Sequence, residues 1–378
     1  MNPSRMDPTR RDVMTWMTAA AGLGFIWMPA SGALQLGVRQ ALQDEHATIL
    51  PWAKLANEGD AHAWVTKQSV QGGNVVALSD GMSVIVVDSK FPYFATALRE
   101  DAITLAAGEG GPKPSVADGK MSLALIVTHH HADHTGGNLA FRKGAFRGDH
   151  AASRLVKDVD IIAHTNAAPK IASQVDRYLA ALRNGPATVA RLPQRAELLP
   201  RVTELADRAA GLSADDWAPT IANEGHWLPW GKKDGQPTRN VMAQHFGAGH
   251  TDNDFVVFVP ELNLVHTGDL IFNGLHPFFD VDAGANSLGW INSLNSIDKL
   301  CDDNTTVVPG HGPVGGRKLI GEMRRYLEQL RESVKAEIGK GTSKEDAQAM
   351  TFDFMKGRGF DQLRPIAIGA VYEELASE

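Results

Sequence analysis

The stretch Thr128-His129-His130-His131-Ala132-Asp133-His134 places four histidines and an aspartate within seven residues. It follows residues 123–127, a continuous apolar run typical of a strand buried on both faces of a sheet. A loop at the C-terminal end of such a strand suits functional side chains, because the sheet supports the loop rigidly and the loop itself is accessible. Because alternate residues of an extended segment point the same way, His129 and His131 are predicted to share one cation, and His130 is predicted to point away.

The same stretch offers ligands for a second cation. Asp133 and His134 fall on the next turn of the chain, beside the first pair. Imidazole combined with carboxylate suits zinc, whereas calcium and magnesium take oxygen ligands almost exclusively. Neither cation finds enough ligands in this loop alone, so we expect the remaining ligands to come from distant parts of the chain.

Three downstream segments place a polar side chain among small residues at the end of an apolar run. Each segment taken alone is compatible with an ordinary turn. Together with the histidine cluster, and in this order, they predict His250, Asp269 and His311 as further metal ligands. The segments are Gly247-Ala248-Gly249-His250-Thr251, His266-Thr267-Gly268-Asp269 and Pro309-Gly310-His311-Gly312-Pro313.

Apolar runs and turn signals predict the strands. Ser79-Asp80-Gly81 separates the runs 75–78 and 84–87, and it predicts a β-hairpin because glycine tolerates the positive φ of a tight turn. Polar loops and helical patterns separate the later runs. These runs are residues 159–163, 241–244, 255–259, 262–265 and 305–308.

Helical patterns lie between and after these strands. Residues 95–107 and 317–338 have helical spacing, and 168–211 contains helical stretches that we expect Gly185-Pro186 and Pro193 to interrupt. A further helix is expected from Thr342, whose hydroxyl forms a capping-box pattern with Glu345. Strand-rich halves separated by helices predict an α/β fold, namely a four-layer αββα sandwich of two packed sheets with helices outside.

Composition narrows the range of partners. The 378 residues carry a formal net charge of −7, with acidic and basic residues interspersed. Nucleic acid and anionic membrane surfaces therefore have little electrostatic support as partners, and a small-molecule substrate is expected. The single cysteine, Cys301, excludes an intramolecular disulfide and a CxxC metal site, and we expect it to be a small buried apolar residue.

Residues 1–33 have the layout of a signal peptide. Arg10-Arg11 precede a mostly apolar run over 13–29, and the small residues 30–33 follow. The paired arginines resemble the twin-arginine signal, which exports folded proteins, so they predict a periplasmic or secreted protein that acquires its metal before export. The alternative is an amphipathic N-terminal helix. No later segment reaches the roughly 18 apolar residues that a membrane span needs.

These motifs together resemble the metallo-β-lactamase superfamily, from the hairpin near Gly73 to the segment Pro309-Gly310-His311-Gly312. The HxHxDH pattern is the most specific signature of that superfamily. The resemblance implies a catalytic domain over 34–316 with a helical insertion at about 165–235, and a C-terminal helical extension over 317–378 packed on the domain. The amphipathic helices of this extension suit a dimer contact equally well, so the oligomeric state stays open.

The resemblance also implies a role for each candidate ligand. Asp88 would support the site from behind the ligands. The implied cofactors are two zinc ions per chain, with iron or manganese as alternatives. The first metal would be bound by His129, His131 and His250, the second by Asp133, His134 and His311, and Asp269 would bridge them.

The activity implied by the resemblance is that of a dinuclear zinc hydrolase. Two zinc ions about 3.5–4 Å apart can share a water and lower its pKa towards 7. The resulting bridging hydroxide would attack the carbonyl carbon of a small ester, lactone, thioester or amide. Asp133 would be the catalytic side chain, orienting the hydroxide and relaying its proton.

Residues 247–272 resemble the matching region of the zinc β-lactamases that carry a cysteine ligand, with two departures. Asp269 stands at the place of that cysteine, and Phe272 stands where many of those enzymes have a lysine that binds the β-lactam carboxylate. Hydrolysis of β-lactams is therefore kept as an alternative. Further alternatives on the same fold are a mononuclear iron sulfur dioxygenase, a nuclease, a diiron flavoprotein and a non-catalytic binding module. The complete ligand set disfavours the dioxygenase and the binding module, and the acidic composition disfavours the nuclease. The flavoprotein is disfavoured because His131 stands where that branch resembles a carboxylate pattern.

The 115 residues between His134 and His250 are expected to contribute a lid. Trp217, Trp227 and Trp230 lie in this segment and are candidates for an apolar substrate pocket, although they suit anchoring of helices equally well. Phe272, His276 and Phe278, just after Asp269, are further pocket candidates.

Overall fold

The computed structural model describes residues 51–58, 61–67, 71–81, 83–107, 121–143, 156–191, 193–233 and 236–378. The predicted signal peptide lies outside the described residues and stays a prediction. No helix within the described residues is long and apolar enough to cross a bilayer.

The first sheet has seven strands in sequential order. Its first four strands pair antiparallel, and the pairs from β4 to β7 are parallel. The parallel strands β4 and β5 therefore end at the same edge, where Val87 lies opposite Ile126. The strands are β1 (Trp52–Glu58), β2 (Ala61–Thr66), β3 (Val76–Ser79), β4 (Ser83–Val87), β5 (Met121–Ile126), β6 (Val156–His164) and β7 (Ile221–Asn223).

The second sheet has six strands, in the order β13-β12-β11-β10-β9-β8. All its pairs are antiparallel except β11 with β12. Because β11 and β12 are parallel, the segments that follow them meet at one edge of the sheet. The strands are β8 (Gly225–Lys233), β9 (Gln236–His245), β10 (Phe255–Val259), β11 (Leu264–His266), β12 (Thr306–Val308) and β13 (Gly315–Gly316).

Helices cover the outer face of each sheet. They are α1 (Ala95–Ala107), α2 (Ala132–Thr135), α3 (Asn138–Lys143), α4 (Ala167–Val189), α5 (Leu199–Ala210), α6 (Ser287–Asp298), α7 (Lys318–Gly339), α8 (Lys344–Ala349) and α9 (Arg364–Ala376). Helices α1, α3, α4 and α5 pack on the first sheet, and α6, α7 and α9 pack on the second.

A third apolar core lies between the two sheets. Leu78 and Ile126 of the first sheet share this core with Val241 and Phe255 of the second. Alternate side chains of the strands thus face either the partner sheet or the helices, and the removal of this apolar surface from water is the main driving force for the layering. The predicted four-layer α/β sandwich is confirmed, with two mixed sheets and flanking helices.

Two helix predictions were wrong in detail. Helix α4 continues through Gly185-Pro186 to Val189, because burial of Gly185 and Val189 against the neighbouring α5 outweighs the hydrogen bond that Pro186 cannot donate. Helix α8 begins at Lys344, and its N-cap is Ser343, whose hydroxyl accepts from the backbone N–H of Asp346. The hydroxyl of Thr342 instead donates to Glu337 at 2.8 Å.

The helical insertion is shorter than predicted. Helices α4 and α5 end at Ala210, and the rest of the predicted range 165–235 contains β7 and β8, one strand in each sheet. The C-terminal residues 318–376 form helices that pack on the second sheet. Cys301 is a buried free cysteine in the same apolar cluster.

Candidate metal centre

The histidine-rich loop begins where β5 ends, and Asp88 fixes its start. Asp88 directly follows β4 and is fully buried, with a left-handed φ of 67° that aspartate tolerates better than most residues. Its carboxylate accepts from the Thr128 backbone N–H at 2.7 Å and from the Thr128 hydroxyl at 2.8 Å. The carbonyl of Thr128 in turn accepts from Phe255 N–H at 2.6 Å, which ties the loop to the second sheet.

His129, His131, His250 and Asp269 form one buried group of potential ligands. His131 Nδ1 lies 3.0 Å from His129 Nε2 and 3.1 Å from His250 Nε2. Two atoms bound to one tetrahedral zinc at about 2.0–2.1 Å lie about 3.3 Å apart. The three nitrogens therefore already converge on a volume of the size that one cation fills.

Asp133, His134 and His311 form a second buried group. Asp133 and His134 belong to α2, whereas His311 follows β12. His311 Nε2 lies 3.2 Å and His134 Nε2 3.6 Å from Asp133 Oδ2. This donor set of two imidazoles and a carboxylate is typical of zinc ligation.

Asp269 lies between the two groups. Its Oδ2 is 3.8 Å from His129 Nε2, 3.6 Å from His250 Nε2 and 3.4 Å from His311 Nε2. Its Oδ1 is 3.3 Å from His134 Nε2. One carboxylate thus faces both groups, which is the position expected of a bridging ligand.

Two potential ligand atoms lack a hydrogen bond within the part of the chain that the structure describes. His134 Nε2 and Asp269 Oδ1 are both buried, and each makes no hydrogen bond of acceptable geometry. A buried polar atom without a partner costs free energy. Bound cations would satisfy both atoms, so the residues present fit a two-metal centre.

A hydrogen bond on the far side of the ring orients several of the histidines. His134 Nδ1–H donates to Asp88 at 2.7 Å, and His250 Nδ1–H donates to the Phe278 carbonyl at 2.8 Å. His131 Nε2–H donates to Asp280 at 2.8 Å, which leaves Nδ1 facing the first group. Such partners fix the tautomer and the orientation of a ligand.

Asp280 was missed by the sequence reasoning. It is buried and also lies 3.3 Å from His130 Nε2, so His130 faces this carboxylate. The backbone N–H of His130 donates to Asn253 at 3.0 Å. Spacing did not distinguish Asp280 from the exposed Asp282 two residues later, because both lie in an irregular segment.

Replacing Asp280 by alanine is expected to weaken zinc binding roughly 10–100-fold, the usual cost of losing a carboxylate behind a histidine ligand. His131 would lose the acceptor that holds its Nδ1 towards the first group. Zinc affinity measured by competition with a chromophoric chelator checks this. Asp282→Ala is the matched control, and equal affinities of the two variants would contradict the role given to Asp280.

Glycine is required at two positions beside the ligands. A Cβ atom on Gly73 would lie 2.2 Å from His134 Cε1, and one on Gly310 would lie 1.9 Å from Asp269 Oδ1. The Asn74 N–H donates to the Gly310 carbonyl at 2.7 Å, which holds the two backbone segments together. Bare backbone therefore forms part of the wall around the ligands.

The candidate histidine ligands fall into two groups according to the direction of their pKa shifts. Burial lowers the pKa of His250 to about 3 and that of His129 well below its ordinary value, so both rings are neutral and available as ligands. Burial also lowers the pKa of His311 and His134, but nearby carboxylates outweigh this effect. The net result raises the pKa of His311 to about 9 and that of His134 well above its ordinary value. Carboxylates thus concentrate negative charge at the second group, where a cation would be attracted.

The turn that carries His250 is closed by a buried aspartate. Asp254 accepts from the Thr251 backbone N–H at 2.9 Å and from the Thr251 hydroxyl at 2.6 Å. Burial raises the pKa of Asp254 to about 7. These bonds place His250 at the same edge as the histidine-rich loop.

Two of the predicted pocket residues border the metal ligands. The Phe272 ring stacks on His311 at a centroid distance of 5.2 Å. Phe278 contacts His131 and His250 at centroid distances of 5.6 and 6.0 Å.

The other pocket candidates lie elsewhere. Trp217 is buried beneath the helices and donates to the Gly136 carbonyl at 2.9 Å, and Trp230 is buried between the sheets. These positions suit the alternative role of anchoring the layers. His276 is buried against Tyr326, whose hydroxyl lies 2.8 Å from Nδ1. Trp227 is 56% exposed on β8, and its pocket role stays a prediction.

Comparison with known proteins was made on sequence and on structure. The sequence model of the family described as "Metallo-beta-lactamase superfamily" matches residues 69–154 and 156–311. A metallo-beta-lactamase type 2 of Bacteroides fragilis is 27% identical over 100 residues, which are 26% of this chain and 39% of that protein. A metallo-beta-lactamase type 2 of Bacillus cereus is 31% identical over 83 residues, 21% of this chain and 32% of that protein. The matches thus span less than half of each relative.

Solved structures with similar folds include two metallo-beta-lactamases. The mono-zinc form of FIM-1 from Pseudomonas aeruginosa has a TM-score of 0.43 and 17% identity, covering 75% of this chain and 97% of that one. The enzyme from Pontibacter korlensis has a TM-score of 0.43 and 14% identity, covering 73% and 99%.

Proposed function

Because this chain belongs to the metallo-β-lactamase superfamily, we propose that it is a metal-dependent hydrolase whose centre binds two zinc ions and hydrolyses the bond between the carbonyl carbon and the departing group of a small substrate. The observation that carries this proposal is the convergence of two buried ligand groups on Asp269. His129 Nε2, His131 Nδ1 and His250 Nε2 would hold one cation. Asp133, His134 and His311 would hold the other.

The reaction proposed is hydrolysis of an ester, lactone, thioester or amide. Water adds to the carbonyl carbon, the bond to the departing oxygen, sulfur or nitrogen breaks, and the products are a carboxylic acid and an alcohol, thiol or amine. The cations, when bound, would lower the pKa of the attacking water and polarise the carbonyl.

The chain's own residues position these groups and move the proton. Asp133 has its carboxylate at the second group, where it can orient the attacking water and accept its proton. The charges of His134 and His311 outweigh the effect of burial and lower the pKa of Asp133, which keeps the carboxylate ionised. Asp88 and Asp280 hold the rings of His134 and His131 in the orientation that ligation needs.

Replacing Asp133 by alanine is expected to reduce kcat by about 10²–10⁴-fold, the usual contribution of a positioned proton acceptor, while stability changes little. Turnover per folded, zinc-loaded molecule and thermal unfolding check this together. Asp133→Asn, which keeps the size of the side chain, should also be slow. Normal turnover per folded molecule in an unstable alanine variant would refute the assignment.

Hydrolysis of β-lactams is the second candidate, supported by the two relatives named as metallo-beta-lactamases. The position of Phe272 beside His311 disfavours this activity, because a phenyl ring offers no positive charge to bind the carboxylate of a β-lactam. Neutral carbonyl substrates are therefore preferred in the proposal.

The experiment that tests the proposal is metal analysis combined with a substrate panel. Elemental analysis gives the metals per chain, and lactones, thioesters, aryl esters and β-lactams are assayed before and after treatment with a chelator. Near two zinc ions per chain and chelator-sensitive hydrolysis support the proposal. One iron per chain without hydrolysis would replace it by the dioxygenase alternative.

A further inference from the structure

Phe360, in the C-terminal extension, lies beside the second ligand group. Its ring is 5.8 Å from the His311 ring in an edge-on arrangement. The preceding residue, Gly359, donates to the Gly274 carbonyl at 3.0 Å and accepts from His276 N–H at 2.9 Å. The extension is therefore bonded to the segment that follows Asp269, and it carries an aromatic side chain to the rim of the centre.

His311 has aromatic rings on two sides. Phe272 stacks on it with an interplanar angle of 18°, and Phe360 packs at 69°. Phe272 is buried and Phe360 is half-buried, so of these two residues Phe360 retains more surface accessible to solvent. Phe360 is therefore the one that a ligand beside His311 can contact more readily.

The backbone of Phe360 is held in an unusual conformation. Its φ of 59° and ψ of 41° lie in the left-handed region, which bulky residues adopt rarely. The Phe360 carbonyl accepts from Leu363 N–H at 2.8 Å, which closes the turn that follows. Left-handed conformations of bulky residues cluster at functional sites.

Two phenyl rings lie beside His311, whereas carboxylates lie behind other histidines of the centre. Among the described residues, the ion pairs of Asp133 and Asp269 are all with histidines. The ammonium group of the buried Lys90 donates to the Gly73 carbonyl at 2.6 Å. The two phenyl rings beside His311 carry no charge and offer no conventional hydrogen bond, so this part of the rim suits a hydrocarbon group.

From this arrangement we infer that Phe360, together with the Phe272 ring stacked on His311, forms an apolar wall that binds an apolar acyl or aryl group of the substrate next to His311. The inference rests on the proposed function and narrows its substrate class to carbonyl compounds with an apolar substituent. Phe360 is a specificity-determining residue in this arrangement and takes no part in proton transfer.

Binding of linear carboxylates to the zinc-loaded full chain tests the wall without turnover. Acetate, butanoate and hexanoate are titrated by calorimetry into the wild type and into Phe360→Gly, which removes the ring and suits the left-handed backbone. In the wild type, affinity should rise by up to about fourfold per buried methylene. In Phe360→Gly, acetate should bind as before, and the gain with chain length should fall at least threefold overall.

Two further variants keep the test decisive. Phe360→Asn also tolerates the left-handed backbone and should behave like Phe360→Gly, so the result does not depend on one variant folding. Phe352→Ala, which removes another half-buried ring of the same extension, should keep the wild-type dependence on chain length. An unchanged dependence in both Phe360 variants would overturn the inference.

The same variants separate this inference from the proposed function. Esters with acetyl and hexanoyl groups are compared by kcat/KM, and the wild type should prefer hexanoyl more strongly than Phe360→Gly does. If the zinc-loaded wild type hydrolyses no member of the panel, the proposed function fails. The carboxylate titration still shows whether Phe360 forms an apolar binding wall. If it hydrolyses both esters and Phe360→Gly keeps the same preference for hexanoyl over acetyl, only the inference about the apolar wall is refuted.

Discussion

Replacing Asp269 by alanine is expected to reduce hydrolysis on the order of 10³-fold or more. The Asp269 carboxylate lies within 3.3–3.8 Å of ring nitrogens of His129, His134, His250 and His311, which belong to both ligand groups. Metal ions supply several kcal/mol of transition-state stabilisation, and about 1.4 kcal/mol corresponds to a tenfold change in rate. Loss of the shared ligand should therefore affect both cations at once.

Zinc content and kcat/KM of the Asp269→Ala protein check this expectation. Zinc should fall from near two per chain to one or fewer after dialysis against buffer without metal. Asp207→Ala is the matched control, because Asp207 is an exposed aspartate on α5. Two tightly held zinc ions in the Asp269 variant would show that the two ligand groups are independent and that Asp269 is not a bridge.

The candidate ligands were predictable from sequence because each one belongs to a short local pattern. A run of apolar residues followed by glycine and a histidine or aspartate marks the end of a buried strand, and His250, Asp269 and His311 all have this signature. The order of strands in the two sheets then brings these ends to one edge. Local patterns thus sufficed to name the residues that the structure gathers around Asp269.

The orientation of the ligands was not predictable in the same way. Whether His131 faces the centre with Nδ1 or Nε2 depends on Asp280, which is 149 residues away in the chain. Phe360 reaches His311 only through backbone bonds between the C-terminal extension and residues 274–276. Such contacts are set by tertiary packing, and neither residue belongs to a motif that spacing reveals.

Tertiary packing also explains where local signals were insufficient. Pro186 signals a helix break, yet α4 buries Leu182 and Val189 on the same face and so continues past it. Trp217 and Trp230 were grouped by residue type and proximity in sequence, but they lie in different layers of the sandwich. Local propensity is a weak guide wherever burial of apolar surface favours another arrangement.

The completeness of the second ligand group bears on the choice between alternatives. A mononuclear iron dioxygenase needs one set of ligands, whereas Asp133, His134 and His311 form a buried set of their own. His134 Nε2, which is buried without a hydrogen-bond partner among the described residues, belongs to this second set. A second cation gives that atom a role, and the proposed function therefore includes two metals.

A methyl group added at Gly310 is expected to disable the centre as effectively as loss of a ligand. In Gly310→Ala the new Cβ would lie 1.9 Å from Asp269 Oδ1 and 2.7 Å from the carbonyl carbon of Gly268. The backbone cannot easily move away, since Gly310 N–H donates to Gly268 and the Gly310 carbonyl accepts from Asn74, both at 2.7 Å. Overpacking of this kind costs about 1–3 kcal/mol and displaces side chains.

Because the displaced side chain is the Asp269 carboxylate, Gly310→Ala should lose at least one zinc ion and most activity while the protein still folds. Zinc content, kcat/KM and thermal unfolding measured together separate loss of the centre from loss of the fold. Gly316→Ala is the control, since its Cβ would have only the Thr305 carbonyl oxygen nearby, at 3.8 Å. Full zinc content in Gly310→Ala would mean that the Asp269 carboxylate can shift without releasing a cation, and the close approach of backbone at residue 310 would then be incidental to metal binding.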